Sequence, residues 1–370
     1  MRRIPVTTYD REELIGNIPF SANSTQMLNS NGGQIVDPRW LNSLAIRLEG
    51  RITMPAAGGP AALTADGVAQ MIELFTLQGT YRPTGQQDTL IQLRGSDLKF
   101  QSDFFTLNNM PSLPSAFSFA ASATNDFRLN IIVPFAPLGV PLSESGSYLL
   151  DVPNYDKLQI MIQWGDGNSI FATNGGTVTF SAYGSAAGSP AAYISGRWAL
   201  AGPSKFAGFT PGRVFKYFRE TVGTIPTTTQ TAARIDTINR GNIIRSVGLK
   251  TGVKSTNVTG GNNAYASLTD TMVSNWRIMR GTNNQIRYYA HQQDIGRENT
   301  LKRGFPYSAG KAVIDFAQNG YLAEAFNTRG LQAGADSFTD VYVQGDIVGA
   351  ANQAVVLLYD EIRRFPAQRS

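Results

Sequence analysis

The chain has 370 residues, 32 Lys and Arg against 27 Asp and Glu for a net charge of +5, a single histidine and no cysteine. These counts exclude disulfides, thiolate nucleophiles and Cys-ligated metals, and leave zinc without its usual donor set. Hydrophobic residues at 42% can fill sizeable cores, whereas charged residues at 16% fall below the roughly 25% usual for a soluble domain, so neighbours are expected to cover much of the surface.

The length suits two domains, and 37 Gly with 18 Pro suits a turn-rich β protein. Residues 1–30 are polar without a sustained period and read as an N-terminal arm. Met1-Arg2-Arg3 leads into Asp10, Glu12 and Glu13 without an apolar stretch, which predicts no secretory signal. Leu44, Ile46, Leu48 and Ile52 alternate with polar or small residues, a half-buried strand. A loop follows over 55–60, then an apolar strand from Met71 to Leu77 that ends at Gly79. Gly95 to Phe105 reads as a short helix with Ser96 as its cap.

Phe127, Leu129, Ile131, Val133 and Phe135 form a strong period-2 run, with Pro134 predicting a strand end or a sheet edge. Leu158, Ile160, Ile162 and Trp164 form another, stopped by the turn Gly165-Asp166-Gly167-Asn168. Asn174-Gly175 is a hairpin-type turn, and a strand is expected from Tyr193 to Leu200. The Gly- and Pro-rich stretch 201–212 is the expected junction, dividing the chain into 31–205 and 206–370. Further strands are expected at 214–222, 243–249, 274–280, 285–290, 313–316, 338–343 and 354–359, with one helical turn over 321–326. The run from Ala354 to Tyr359 is apolar on both faces and predicts a strand covered on both sides.

The two halves echo each other. Asn42-Ser43-Leu44-Ala45-Ile46-Arg47-Leu48-Glu49-Gly50 has a counterpart in Arg245-Ser246-Val247-Gly248-Leu249-Lys250-Thr251-Gly252. Leu74 to Thr80 is matched by Trp276 to Thr282, and Gln86-Gln87-Asp88 by Gln292-Gln293-Asp294. A period of roughly 200 residues is too long for a solenoid and predicts one β domain used twice. About eight short strands per half is the count of a jelly roll, so the expected fold is all-β: two jelly-roll sandwiches side by side with few short helices.

Reaction chemistry finds little support. Ser-His-Asp catalysis would have to run through His291, and no Gly-x-Ser-x-Gly elbow accompanies it. Asp166-Gly167-Asn168 lacks the bidentate Glu of a calcium loop and reads as a turn. No phosphate-binding Gly pattern precedes a helix. Asp360 and Glu361, beside Arg363 and Arg364, read as salt-bridged or solvated charge. Asn23-Ser24-Thr25 and Asn257-Val258-Thr259 match glycosylation sequons but read as loops. Neither a catalytic group, a cofactor nor a metal site is expected. A glycan-binding or glycan-cleaving sandwich and a viral spike or adhesin are the alternatives.

Leu149-Leu150-Asp151-Val152-Pro153-Asn154-Tyr155-Asp156-Lys157-Leu158, running on to Trp164, resembles a segment of the double jelly-roll major capsid proteins of tailless icosahedral viruses, including membrane-containing bacteriophages. Leu44–Thr53, Met71–Thr80, Ile314-Asp315-Phe316 with Gly320 and Tyr321, Phe326 to Gly330, and Ala350 to Arg363 resemble other parts of that family. The resemblance implies a structural subunit and no enzyme. It implies homotrimers of six-fold pseudo-symmetry tiling an icosahedral virion assembled in the host cytoplasm. Neighbouring capsomers and minor capsid, penton or spike proteins become the expected partners, with no sequence-specific nucleic acid. Termini that face inward make Arg2 and Arg3 candidates for contact with an internal membrane or the genome.

Overall fold

Residues with β-branched and aromatic side chains at alternate positions form strands that bury one face, and here they build two sandwiches in chain order. The computed structural model describes residues 10–82, 85–106, 117–135, 149–172, 176–199, 214–223, 225–238, 243–255, 265–281, 284–317, 324–328 and 341–364. Among these, no helix is long and apolar enough to cross a membrane.

The first roll contains β1 (Asp10–Pro19), β2 (Thr25–Met27), β3 (Trp40–Thr53), β4 (Ile72–Tyr81), β5 (Gln86–Leu93), β6 (Thr124–Pro134), β7 (Tyr155–Trp164), β8 (Thr179–Ser181) and β9 (Ala191–Ala199). One sheet runs β1-β9-β3-β6, with the short β8 also on β3; the facing strands run β5-β4-β7-β2. The second roll contains β10 (Val214–Gly223), β11 (Gln230–Ile238), β12 (Ile243–Lys254), β13 (Tyr265–Leu268), β14 (Val273–Arg280), β15 (Asn284–His291), β16 (Lys311–Asp315), β17 (Phe326–Asn327), β18 (Val341–Ile347) and β19 (Gln353–Arg364). Its sheets run β10-β19-β12, with β16 on β12, and β11-β18-β14-β15. With β8, β13 and β17 set aside as short additions, first, eighth, third and sixth strands share one sheet in each roll. Second, seventh, fifth-neighbouring fourth, and fifth strands share the other. This is the jelly-roll order, stated twice.

The echo between the halves is structural for the third strand. A bulge at Asn42 separates Leu41 and Ser43 in their pairing with β9, and a bulge at Arg245 separates Ile244 and Ser246 in their pairing with β19. Ser43 and Ser246 are therefore equivalent, as are Arg47 and Lys250. The fourth strands need a correction of one residue. The bulge at Leu90 in β5, opposite Leu77 and Gln78 of β4, matches the bulge at Ile286 in β15, opposite Ile278 and Met279 of β14, which aligns Phe75 with Trp276. A one-residue slip exchanges the faces of a strand; this alignment puts the fully buried Phe75 and Trp276 at equivalent core positions. The third echo does not survive, because Gln86 opens strand β5 and Gln292 opens a helix.

That helix, α2 (Gln292–Arg303), went unread in the sequence; it and α1 (Gly95–Thr106) follow the fifth strand of their respective rolls, and each has 12 residues. Ser96 is inside α1 and does not cap it. The expected arm is corrected from residue 10 onward: β1 pairs with β9 over Asp10–Pro19, so main-chain hydrogen bonds order a segment whose polar side chains hid its strand. Phe326 lies in β17, paired to Ile244, and not in a helical turn. Asn174-Gly175, the junction 201–212 and Asn257-Val258-Thr259 lie outside the described residues.

The two side-by-side sandwiches are joined through a short strand pairing. β10 runs parallel to β5, pairing Phe218 with Ile91 and Arg219 with Gln92, and this short join merges one sheet of each roll into a ten-stranded sheet. Pairing two edges in this way removes two rows of open backbone groups from solvent.

Candidate functional site: an ionic seam between the rolls

The rolls meet where α1 and the loop around Asp66 lie against the outer face of β12, β16 and β19. β19 explains its doubly apolar sequence here. Val355, Leu357 and Tyr359 point into the second core, while Ala354, Val356 and Leu358 join the core of the first roll, and all six are buried. From the other side come Phe100, Phe104 and Phe105 of α1. Phe104 packs edge-on against Phe305 with ring centroids 5.3 Å apart. Gly248 allows this approach: a Cβ there would lie 3.1 Å from Leu358 Cβ and 3.3 Å from Phe100 Cε1.

Charges are sealed into the same seam. Lys250 on β12 is fully buried, and its ammonium donates to Asp97 Oδ1, to Ser96 Oγ at 2.9 Å and to Asp66 Oδ2 at 3.3 Å. Lys311 on β16 donates to the other Asp66 oxygen at 2.8 Å. Both lysines come from the second roll and both aspartates from the first. Burial works to raise the Asp66 carboxyl, and the Lys250 and Lys311 ammoniums overcome it and hold the group well below the usual carboxylate range. Burial likewise opposes the Lys250 charge, and Asp66 with Asp97 restores it and raises the ammonium above its ordinary value. Lys99 pairs with Asp103 one helical turn along α1.

Glu220 on β10 closes the seam at its join with β5, accepting from the Arg94 amide at 3.0 Å and facing the Arg94 guanidinium at 3.3 Å. Burial first, then the Asp97 carboxyl, push Glu220 up to about 8. The fold thus retains a proton that the unfolded chain releases near 4.5. The stability Glu220 contributes is fully present below that value and is lost as pH rises through about 8. Urea midpoints should fall between mildly acidic and mildly alkaline buffer, and Glu220→Gln should flatten that fall; an unchanged slope in the variant would count against this assignment.

The other residues singled out in the sequence serve structure. Asp151, in the Leu149–Trp164 segment, accepts from Trp40 Nε1 at 3.1 Å and from Asn154 Nδ2 at 2.7 Å, latching a 3-10 turn at Val152–Asn154 onto β3 before β7 begins. Asp166 Oδ1 accepts from the amides of Asn168 and Ser169, so this loop is a turn held by its own side chain. His291 precedes α2, and its amide donates to Asp294 at 3.0 Å. Asp360 and Glu361 are buried rather than solvated, with Asp360 3.5 Å from the Arg245 guanidinium. Arg2, Arg3 and the side chains of Arg363 and Arg364 lie outside the described residues.

A groove of about 470 Å³ beside the Asp151 turn is lined by Ile35, Asp37, Arg82, Pro153, Tyr155 and Asp156. Its carboxylates are neutralised by arginine: Asp37 by Arg39, and Asp156 by Arg82 at 2.6 Å. Burial tends to raise Asp37, and Arg39 overcomes this to hold it below its ordinary value. Glycoside hydrolysis asks instead for one carboxyl held protonated beside an ionised one. Among the described residues, no group of three His, Cys, Asp or Glu is placed to hold a metal ion.

Sequence reasoning missed Asp66, Asp97, Lys250 and Lys311 as a unit. The available signal was Lys250 itself, the echo of Arg47 placed between Leu249 and Thr251 in the repeated strand.

Two equivalent jelly rolls joined side by side define the double jelly-roll fold of viral major capsid proteins. The chain superposes on the major capsid protein of STIV, the Sulfolobus turreted icosahedral virus, with a TM-score of 0.68 at 16% identity, over 95% of this chain and 96% of that one. It superposes on the major capsid protein of bacteriophage PM2 with a TM-score of 0.58 at 10% identity, covering 97% and 98%. For the PBCV-1 virus capsid the TM-score is 0.53 at 10% identity, covering 96% and 95%. No protein-family model and no curated protein matches the sequence.

Proposed function

We propose that this chain is a structural major capsid protein whose homotrimers present six rolls in a ring and tile an icosahedral shell. The observation that carries this reading is the likeness, across at least nine-tenths of both chains, to capsid proteins that share only 10–16% of its residues. The low charge and the groove with arginine-neutralised carboxylates support building material over an enzyme. The division into a first roll ending near 205 and a second from 206 belongs to the same reading, as do the virion as location and assembly in the host cytoplasm. Neighbouring capsomers and minor capsid, penton or spike proteins are the proposed partners. Arg2 and Arg3 are proposed to face an internal membrane or the genome. Two such charges add about 2 kcal/mol near anionic lipid.

Native mass measurement tests the reading directly. The purified protein should appear as trimers or larger particles whose population follows concentration. A dilution-resistant monomer would contradict it, as would turnover of a glycan that one carboxylate substitution abolishes.

A further inference from the structure

The seam inside one chain joins the fifth strand and following helix of the first roll to the first and third strands of the second. The second roll presents the same fifth strand and helix, β15 and α2, and within the described chain both are left open. β15 pairs only with β14, and none of its residues is buried. In α1 all residues from Gly95 to Phe105 are buried, whereas in α2 only Gln292, Ile295, Gly296 and Asn299 are. Leu301, at the tenth position of α2, is 87% exposed; Phe104 holds the tenth position of α1 and is buried against Phe305. The complementary surface is open on the first roll. β1 pairs only with β9, Leu14 on it is 64% exposed, and Arg47 on β3 keeps 49% of its side chain in solvent.

We infer that β15 and α2 of one copy receive β1 and β3 of the next copy, repeating between chains the seam that joins the rolls within a chain. The inference rests on the trimer reading and names its interface. Bulge positions set the register. Glu12 pairs with Arg197 as Phe218 pairs with Asp360, which makes Glu12 the equivalent of Phe218. Ile91 pairs with Leu77 as Arg287 pairs with Ile278. The observed pairs Phe218–Ile91 and Arg219–Gln92 then become Glu12–Arg287 and Glu13–Tyr288 between copies.

Opposite charges meet in this register. Asp97 and Asp294 are both third in their helices, and Lys250 and Arg47 are equivalent on their strands. The buried Lys250–Asp97 pair accordingly reappears as Arg47–Asp294. Such a head-to-tail contact uses two different surfaces, so it closes into a ring when the rotation permits and leaves no open edge. A pair of matching charges also selects register and partner.

The chain has no cysteine, so Glu12→Cys with Arg287→Cys provides a test without background thiols. Mild oxidation of this full-length variant should give covalent dimers and trimers, and no larger ladder from a closed ring. Leu301→Glu should leave monomer melting unchanged and raise the concentration for half-assembly at least about tenfold, a change of roughly 1.4 kcal/mol. Trimers that neither cross-link nor respond to Leu301→Glu would overturn this interface while leaving the capsid reading intact. Monomers at every concentration would overturn both.

Discussion

Lys250→Ala should destabilise the protein by about 3–5 kcal/mol, because it strands two carboxylates inside the seam. Asp66 and Asp97 each have a side chain only 1% exposed, and water cannot replace the lost ammonium. Lys311 still reaches one oxygen of Asp66, so Asp97 bears most of the cost. The cost belongs to the broken pair and does not measure the worth of the intact one. A buried ion pair gains little net energy over apolar residues of the same shape, and its better attested contribution is register. Lys250→Met with Asp97→Asn removes both signs together and should recover much of the loss. Urea titration of the two variants checks this, and equal stability of Lys250→Ala and the parent would refute the seam's polarity as described.

Trp164→Ala should cost about 3–5 kcal/mol through the cavity it leaves. Trp164 is fully buried at the end of β7, with Phe20 edge-on at 5.4 Å. Trp276→Ala in the second roll should cost a similar amount, because Trp276 is as deeply buried on β14. Both losses should shift one unfolding transition rather than split it. β19 supplies alternate residues to the two cores, so neither roll can lose its packing without exposing the other. Calorimetry that resolves two transitions in either variant would show the rolls to be energetically separate.

The seam bears on assembly. In the proposed trimer, an ion-paired, jointed pair of rolls would hold its two members at the fixed angle that a closed ring of six rolls requires. Rigid placement of this kind is a reason to retain buried charge where an apolar contact of equal size would slide.

Legibility divided along physical lines. Strands with one wet face were plain, since alternation records burial directly: β3, β6 and β7 stand where their apolar residues placed them. The third-strand echo survived to the residue because its bulges and its Ser-apolar-x-apolar-basic order are local. The fourth-strand echo slipped by one because Met279, apolar and mostly buried, follows Ile278 and blurs the alternation. β1 was hidden because an edge strand with charged side chains is ordered by backbone bonds to β9, which leave no hydropathy pattern. α2 was hidden because only four of its twelve residues are buried, too few to print a period.

By itself, then, the sequence determined the all-β class, the repeat, the doubly covered β19 and the absence of thiol chemistry, since each depends on residue type at short spacing. Only the tertiary structure decided that Lys250 is a buried seam residue while its twin Arg47 pairs with Glu49 at the half-exposed surface. The two side chains sit in similar local sequence, and what differs is the neighbour folded against them: α1 seals Lys250 away from water, whereas among the described residues Arg47 meets only the Tyr193 ring and Glu49 on the surface and stays half exposed. Burial at that range is set by which surfaces meet, and adjacent residues carry no record of it.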